Sequence, residues 1–278
     1  MDKNNYWNKG AYKMKRSANL EVLYTELPWQ ERFSQAKRDG FDSIEFWDWD
    51  NKDLDEVKRL LSENQLKISA MSGDKYASMC DPEHQKEYVE FVKKSIGAAQ
   101  KINCPVLVVH SNELLSGPKA YAKDPFPQYS DTVKICTMFD TLKKLSPYAE
   151  EAGITLVLEA LNIVVDHIGN FLTSTQMSAE ITSLVGSPNV KILYDAYHMY
   201  LNEGKICETL SKYIDSVGYI HIADAPGRGE PGTGTIHYRQ VFQHLKKIGY
   251  DRTVGFELIP QNGTETAVRA IMESSRGL

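Results

Sequence analysis

Four residues of metal-ligand type recur along the second half of the 278-residue chain, each where an apolar run ends: Glu159 in LVLEALN, Asp195 in ILYDAYH, His221 in YIHIAD and Glu257 in VGFELIP. Their separations are 36, 26 and 36 residues. Each interval holds one strand, one helix and their links, so the four fall at equivalent places in successive units. Three carboxylates brought together in apolar surroundings repel one another and resist ionisation unless a cation neutralises them. Oxygen-rich ligation with a single imidazole suits one divalent ion, Mn2+ or Mg2+ with Co2+ also compatible, better than a thiolate-seeking metal.

Bringing these residues together requires parallel strands that end at a common rim. From about residue 19 onward, short β-rich runs alternate with longer amphipathic stretches; the strand candidates are LEVLY, SIEFW, LKISAM, VLVVH, ITLVLEAL, VKILYD, VGYIHIA and TVGFELI. Between them, PWQERFSQAKRDG closes on a glycine and KDLDEVKRLLSENQ repeats apolar residues at helical spacing. Eight such units without a linker of biased composition predict an α/β protein, a single (β/α)8 TIM barrel over residues 18–278, rather than a doubly wound open sheet. Residues 1–17, MDKNNYWNKGAYKMKRS, are basic and unpatterned, and are expected to form a disordered N-terminal extension.

In such barrels the chemistry sits at the carboxyl ends of the strands. Glu45 ends the second strand and His110 the fourth, so both are expected to touch substrate, and Trp47 and Trp49 in EFWDWD could wall a sugar pocket. The connection SNELLSGPKAYAKDPFPQYSD after the fourth strand is long enough to cover that pocket. The loop VGYIHIADAPGRGEPGTG carries His221 and then Arg228 among turn-forming glycines, a cationic donor held over the mouth.

Thirty-two basic against 37 acidic residues, a net charge of −5, offer no broad cationic surface for nucleic acid. The four cysteines, Cys80, Cys104, Cys136 and Cys207, lie far apart without zinc-site spacing and read as free thiols of a reducing compartment. No apolar run approaches the roughly 20 residues needed to cross a bilayer, and the first residues lack an apolar signal region. The expectation is a cytoplasmic protein with a small-molecule partner, neither nucleic acid nor membrane, and with assembly into homo-oligomers left open.

The run LEALN…GNFLTST…SPNVKILYDAYHMYLNEG…VGYIHIADAPGRGEPGTGTIHY…GYDRTVGFELIP resembles the hydroxypyruvate isomerase family, within the xylose isomerase-like barrels that also contain ketose 3-epimerases. ANLEVLYTELPWQERFSQAKRDGFDSIEF is similar to that family's opening strand, helix and second strand. The resemblance implies a divalent-metal site made by Glu159, Asp195, His221 and Glu257, with Glu159 and Glu257 doubling as the acid/base pair. It implies substrate contacts for His198, the last residue of a D-x-x-H run, and for Arg228. Two departures concern the substrate: where the epimerases carry a second glutamate this chain has Val165, followed by Asp166 and His167, and SGDKYASMCDPEHQKEY replaces a segment rich in proline and glycine.

The chemistry expected is isomerisation of a small hydroxy-carbonyl acid or sugar through an enediolate, one carboxylate removing a proton and the other returning it. Ketose 3-epimerisation is the alternative. An endonuclease IV-like hydrolase, more distant, would need more ligand histidines and a basic groove, and a non-catalytic sugar-binding barrel would not need both glutamates.

Overall fold

A computed structural model describes residues 14–115 and 120–277. Eight parallel strands close into a barrel in sequence order: β1 (Lys15–Asn19), β2 (Ser43–Phe46), β3 (Lys67–Ser72), β4 (Val106–Val109), β5 (Thr155–Glu159), β6 (Val190–Asp195), β7 (Val217–Ile222) and β8 (Thr253–Phe256). Closure is made by β1 against β8, from Lys15 opposite Thr253 to Ala18 opposite Phe256. The helices ring the outside: α1 (Trp29–Arg38), α2 (Leu54–Glu63), α3 (Gln85–Ile102), α4 (Asp131–Ala152), α5 (Thr175–Val185), α6 (Ala196–Asn202), α7 (Ile206–Tyr213), α8 (Tyr238–Lys247) and α9 (Thr264–Ser274). Among the described residues no helix is long and apolar enough to cross a membrane, and the four cysteines are free, two of them buried.

Local sequence explains the elements. In α2, Leu54, Val57, Leu60 and Leu61 fall on one buried face, and Asp53 caps the start by accepting from the backbone N–H of Asp55 and Glu56. Ser130 and Ser174 cap α4 and α5 in the same way, and Gly153 and Gly186, both in the left-handed region, end them. Most apolar side chains lie in the layer between strands and helices, whereas a small separate cluster of Ala70, Val106, Val108, Val157, Leu193 and Tyr219 lines the barrel interior.

One expected strand is displaced. The run Leu20–Tyr24 is not β1 but the turn that follows it, with Leu20, Leu23 and Tyr24 buried. The strand itself, KRSAN, is polar because its inward side chains join a hydrogen-bonded interior, with Ser17 Oγ 2.6 Å from Ser69 Oγ. Within the expected extension, Lys15–Ser17 pair in the sheet, and Arg16 donates to the Ser275 hydroxyl and carbonyl near the other end of the chain. Residues 1–13 of the expected extension lie outside the described residues.

The register places the polar residues. Asp195 pairs with His221, His221 with Gly255, and Glu159 with Leu193, so Asp195 stands two residues beyond Leu193 on the same face. All four strand ends open on one rim. Gly255 makes room for them: a Cβ there would fall 2.5 Å from a Glu45 oxygen and 2.8 Å from the His221 ring. Gly255→Ala is expected to cost about 1–3 kcal/mol in chemical denaturation, the range for overpacking, and an unchanged midpoint would show that the interior yields freely. We propose further that residues 1–13 are dispensable, since barrel closure starts at Lys15; a chain beginning at Met14 is expected to keep its melting temperature, and a marked fall would count against this.

Candidate active site

At the carboxyl rim a cavity of about 430 Å3 is lined by His110, Glu159, His198, His221, Arg228 and Glu257, among others. Glu159 and Asp195 are the last residues of β5 and β6, His221 is the penultimate residue of β7, and Glu257 directly follows β8. All four are buried. Ligand atoms of Asp195, His221 and Glu257 lie within 4.8 Å of one another, and those of Glu159, Asp195 and His198 do likewise.

Each side chain is aimed by a second contact. Asp195 caps α6: its Oδ1 accepts from the His198 N–H at 3.0 Å, which leaves Oδ2 buried and without a partner. His221 turns Nε2 toward Glu45 Oε1 at 3.2 Å, and its Nδ1 faces Glu159 Oε1 at 3.9 Å and Glu257 Oε2 at 3.7 Å. Glu45 is held by the Tyr219 hydroxyl, which donates to Oε2 at 2.5 Å. Glu159 Oε2 meets His110 Nε2 at 3.2 Å, and His110 Nδ1 meets Asp74 Oδ1 at 3.0 Å, while Glu159 Oε1 has no hydrogen-bond partner. Glu257 accepts from Trp47 Nε1 at 2.5 Å and from Asn19 Nδ2 at 3.3 Å through one oxygen, and from Arg228 through the other.

The electrostatics follow from this crowding. Burial, and then Glu159, raise the Asp195 carboxyl to about 7. Burial also works against the Glu159 anion, but His110 and His221 outweigh it and hold that carboxyl well below its usual range. Burial opposes the imidazolium of His110, yet Asp74 and Glu159 overcome it and lift the ring to about 10. His221 is likewise raised, by Glu45 and Glu257 against burial.

The donor set fits a divalent cation. Glu159 Oε1, Asp195 Oδ2 and His221 Nδ1 are buried polar atoms without hydrogen-bond partners, whereas buried polar groups ordinarily have one; Nδ1 lies 3.9 Å from Glu159 Oε1, and Asp195 belongs to both groups of potential ligands. Three carboxylates and one imidazole are the ligand chemistry of Mn2+, Mg2+ or Co2+. His198 is suited to a different task. Asn162 Oδ1 accepts from the N–H groups of Val165 and Asp166, so its NH2 faces His198 Nδ1 at 2.7 Å. That contact assigns the proton to His198 Nε2, making it a donor rather than a metal ligand.

The sequence-derived candidates are spread unevenly around the cavity. His198, Arg228 and His110 line it with Glu159, His221 and Glu257, while Asp195 lies buried outside the lining; Glu45 reaches it from behind His221, engaged with Tyr219. Trp47 lines the wall, whereas Trp49 turns away to donate to Ser95 on α3. Arg228, in the left-handed region at φ 54, pairs with Glu257 and lies over the Tyr197 ring, not with the neighbouring Glu230. Glu230 instead accepts from the Gln261 N–H, and Asp224 accepts from four backbone N–H groups, of Ala225, Gly232, Gly234 and Ile236. The glycine-rich loop is therefore a pinned structure; at Gly234 a Cβ would sit 2.0 Å from the Ala225 carbonyl oxygen.

Several contributors were not singled out from sequence. Asp74 is signalled only by its place just after β3, Asn162 by its place three residues past Glu159, and Asp224 by an aspartate opening a glycine loop. Leu114, Leu115 and Ala120, of the long connection after β4, line the cavity as expected for a cover.

A model of the xylose isomerase-like TIM barrel family matches residues 33–277. Hydroxypyruvate isomerase of Escherichia coli is 32% identical over 265 residues, 91% of this chain and 96% of that protein. 2-Oxo-tetronate isomerase of Pectobacterium atrosepticum is 27% identical over 90% of this chain and 94% of its own length. A solved structure titled AP endonuclease, family 2, from Brucella melitensis superposes with a TM-score of 0.82, covering 92% of this chain and 97% of that one, at 23% identity, a likeness of fold alone. With a family model matching most of its length and a curated relative almost a third identical across it, the chain belongs to the xylose isomerase-like TIM barrels.

Proposed function

We propose that the protein is a metal-dependent isomerase of a small hydroxy-carbonyl acid or sugar, with Glu159 and Glu257 exchanging a proton with the substrate through an enediolate. The observation that carries this reading is the burial at one rim of two overlapping groups of potential ligands, Glu159–Asp195–His198 and Asp195–His221–Glu257, with Glu159 Oε1, Asp195 Oδ2 and His221 Nδ1 lacking hydrogen-bond partners. The isomerase names of the Escherichia coli and Pectobacterium relatives support the reaction class. A divalent ion held by Glu159, Asp195, His221 and Glu257 would supply fixed positive charge where substrate oxygens become negative.

The chain's own groups divide the remaining work. Glu159, oriented by His110 through Oε2, takes a proton from a carbon beside a carbonyl. Glu257, which accepts from Trp47, Asn19 and Arg228, enters the step carrying a proton, gives it to the neighbouring carbon, and regains one from solvent as Glu159 releases the proton it took. His198 Nε2–H and Arg228 hold substrate oxygens, and Glu45 keeps the His221 ring turned so that Nδ1 faces inward. Leu114 and Leu115 limit water at the mouth.

Ketose 3-epimerisation uses the same proton logic and is favoured by the size of the cavity, which is roomier than a three-carbon acid requires. Hydrolysis of a nucleic acid is disfavoured by the lining: among the described residues it has one lysine and one arginine, Lys75 and Arg228, against seven carboxylates. A panel of hydroxypyruvate, 2-oxo-tetronate and several ketoses with Mn2+ identifies the substrate. On whichever is turned over, Glu159→Gln and Glu257→Gln are each expected to lose at least about 100-fold in kcat, and product formed in 2H2O is expected to carry deuterium at the protonated carbon. Complete absence of solvent deuterium, together with full activity of either variant, would overturn the mechanism.

A further inference from the structure

We propose that His167 is a specificity-determining residue that accepts a hydrogen bond from a substrate hydroxyl and so selects an uncharged polyhydroxy chain over a short keto acid. This rests on the isomerase reading above and narrows its substrate class. His167 lies in the loop after β5, lines the cavity and is buried. Its Nδ1 is 3.0 Å from the Ala120 carbonyl oxygen, which can only accept, so Nδ1 carries the ring proton. Nε2 is then a bare lone pair, buried and without a protein partner.

The neighbouring imidazole has the opposite character. His198 packs edge-on against His167 with ring centroids 5.0 Å apart, and its Nε2 carries a proton because Asn162 donates to Nδ1. That proton is also without a hydrogen-bond acceptor, Asp195 Oδ2 being 3.7 Å away. One ring offers a proton and the other takes one. A hydroxyl can answer both demands, since it accepts and donates at once; a carboxylate has no proton to give to His167. Burial and then the nearby Arg228 both hold His167 below the usual imidazole range, which keeps Nε2 an acceptor. The lysine and the arginine of the lining have their charges paired by protein carboxylates, Arg228 with Glu257 and Lys75 with Asp48 and Asp50, which fits an uncharged substrate end.

The test uses ligands that cannot be isomerised, so it reads binding whether or not turnover has been found. Xylitol and glycerate are titrated calorimetrically, with Mn2+ present, into the parent protein, His167→Phe and His167→Gln, after melting curves establish that each variant is folded. Xylitol is expected to bind the parent, to bind His167→Phe about tenfold more weakly, and to bind His167→Gln, whose amide oxygen still accepts, within about threefold of the parent. Glycerate affinity is expected to change less than about twofold between parent and His167→Phe. A parent that takes glycerate but not xylitol, equal xylitol affinity in parent and His167→Phe, or equal losses for both ligands would overturn the assignment. Should the substrate panel show no isomerisation while the xylitol pattern holds, the reaction class fails and the hydroxyl assignment stands.

Discussion

Crowding of Glu159, Asp195 and Glu257 at one buried rim is the constraint on which the rest of the structure turns. In water three carboxylates would separate; fixed to the ends of β5, β6 and β8 they cannot. The protein meets the repulsion by surrounding the set with donors, and the donors are arranged unequally. Glu257 is satisfied at both oxygens, Glu159 at one, and Asp195 at the one that caps α6. What is left over points inward to a common place, and a buried charge left there without a partner is costly. The same arrangement that makes the rim expensive to form gives it carboxylate and imidazole groups that could hold a metal ion.

Rigidity is built from the same contacts. Helix α6 starts on Asp195, so the cap that orders the helix also orders the carboxylate, and His198 follows in the first turn. The loop after β7 is fastened by two buried carboxylates, Asp224 and Glu230, through charge-assisted bonds to backbone N–H groups. Arg228 is thereby delivered to Glu257 by the backbone, and the Ile259 N–H donating to the Arg228 carbonyl ties this loop to the end of β8. Barrel interior and active rim are one polar network: Ser17, Ser69, Tyr219 and Glu45 run from β1 to the back of His221.

The sequence made the barrel legible because seven strands are apolar runs bounded by turns, and because the last four end in ligand-type residues at intervals of one unit. β1 was misread for a physical reason: its inward side chains serve the polar interior, so the neighbouring apolar turn Leu20–Tyr24 gave the stronger pattern. Site residues on strand ends could be placed by period. Contacts made across the tertiary structure could not: Asp74 behind His110, Asn162 fixing the His198 tautomer, and Glu45, itself placed at a strand end, turning His221 are pairs separated by between 36 and 176 positions. Nor could the partner of Arg228 be chosen by proximity in sequence, since Glu257 outcompetes the adjacent Glu230, which is drawn to the Gln261 N–H.

We propose that the four strand-end residues form one divalent-cation site. Crystals grown with Mn2+ and measured on both sides of the manganese absorption edge test it most directly. The account predicts a single strong anomalous peak among Glu159, Asp195, Glu257 and Nδ1 of His221, with Nε2 of that ring turned to Glu45. No peak at the rim, or a peak coordinated by His198 Nε2 in place of His221, would contradict it.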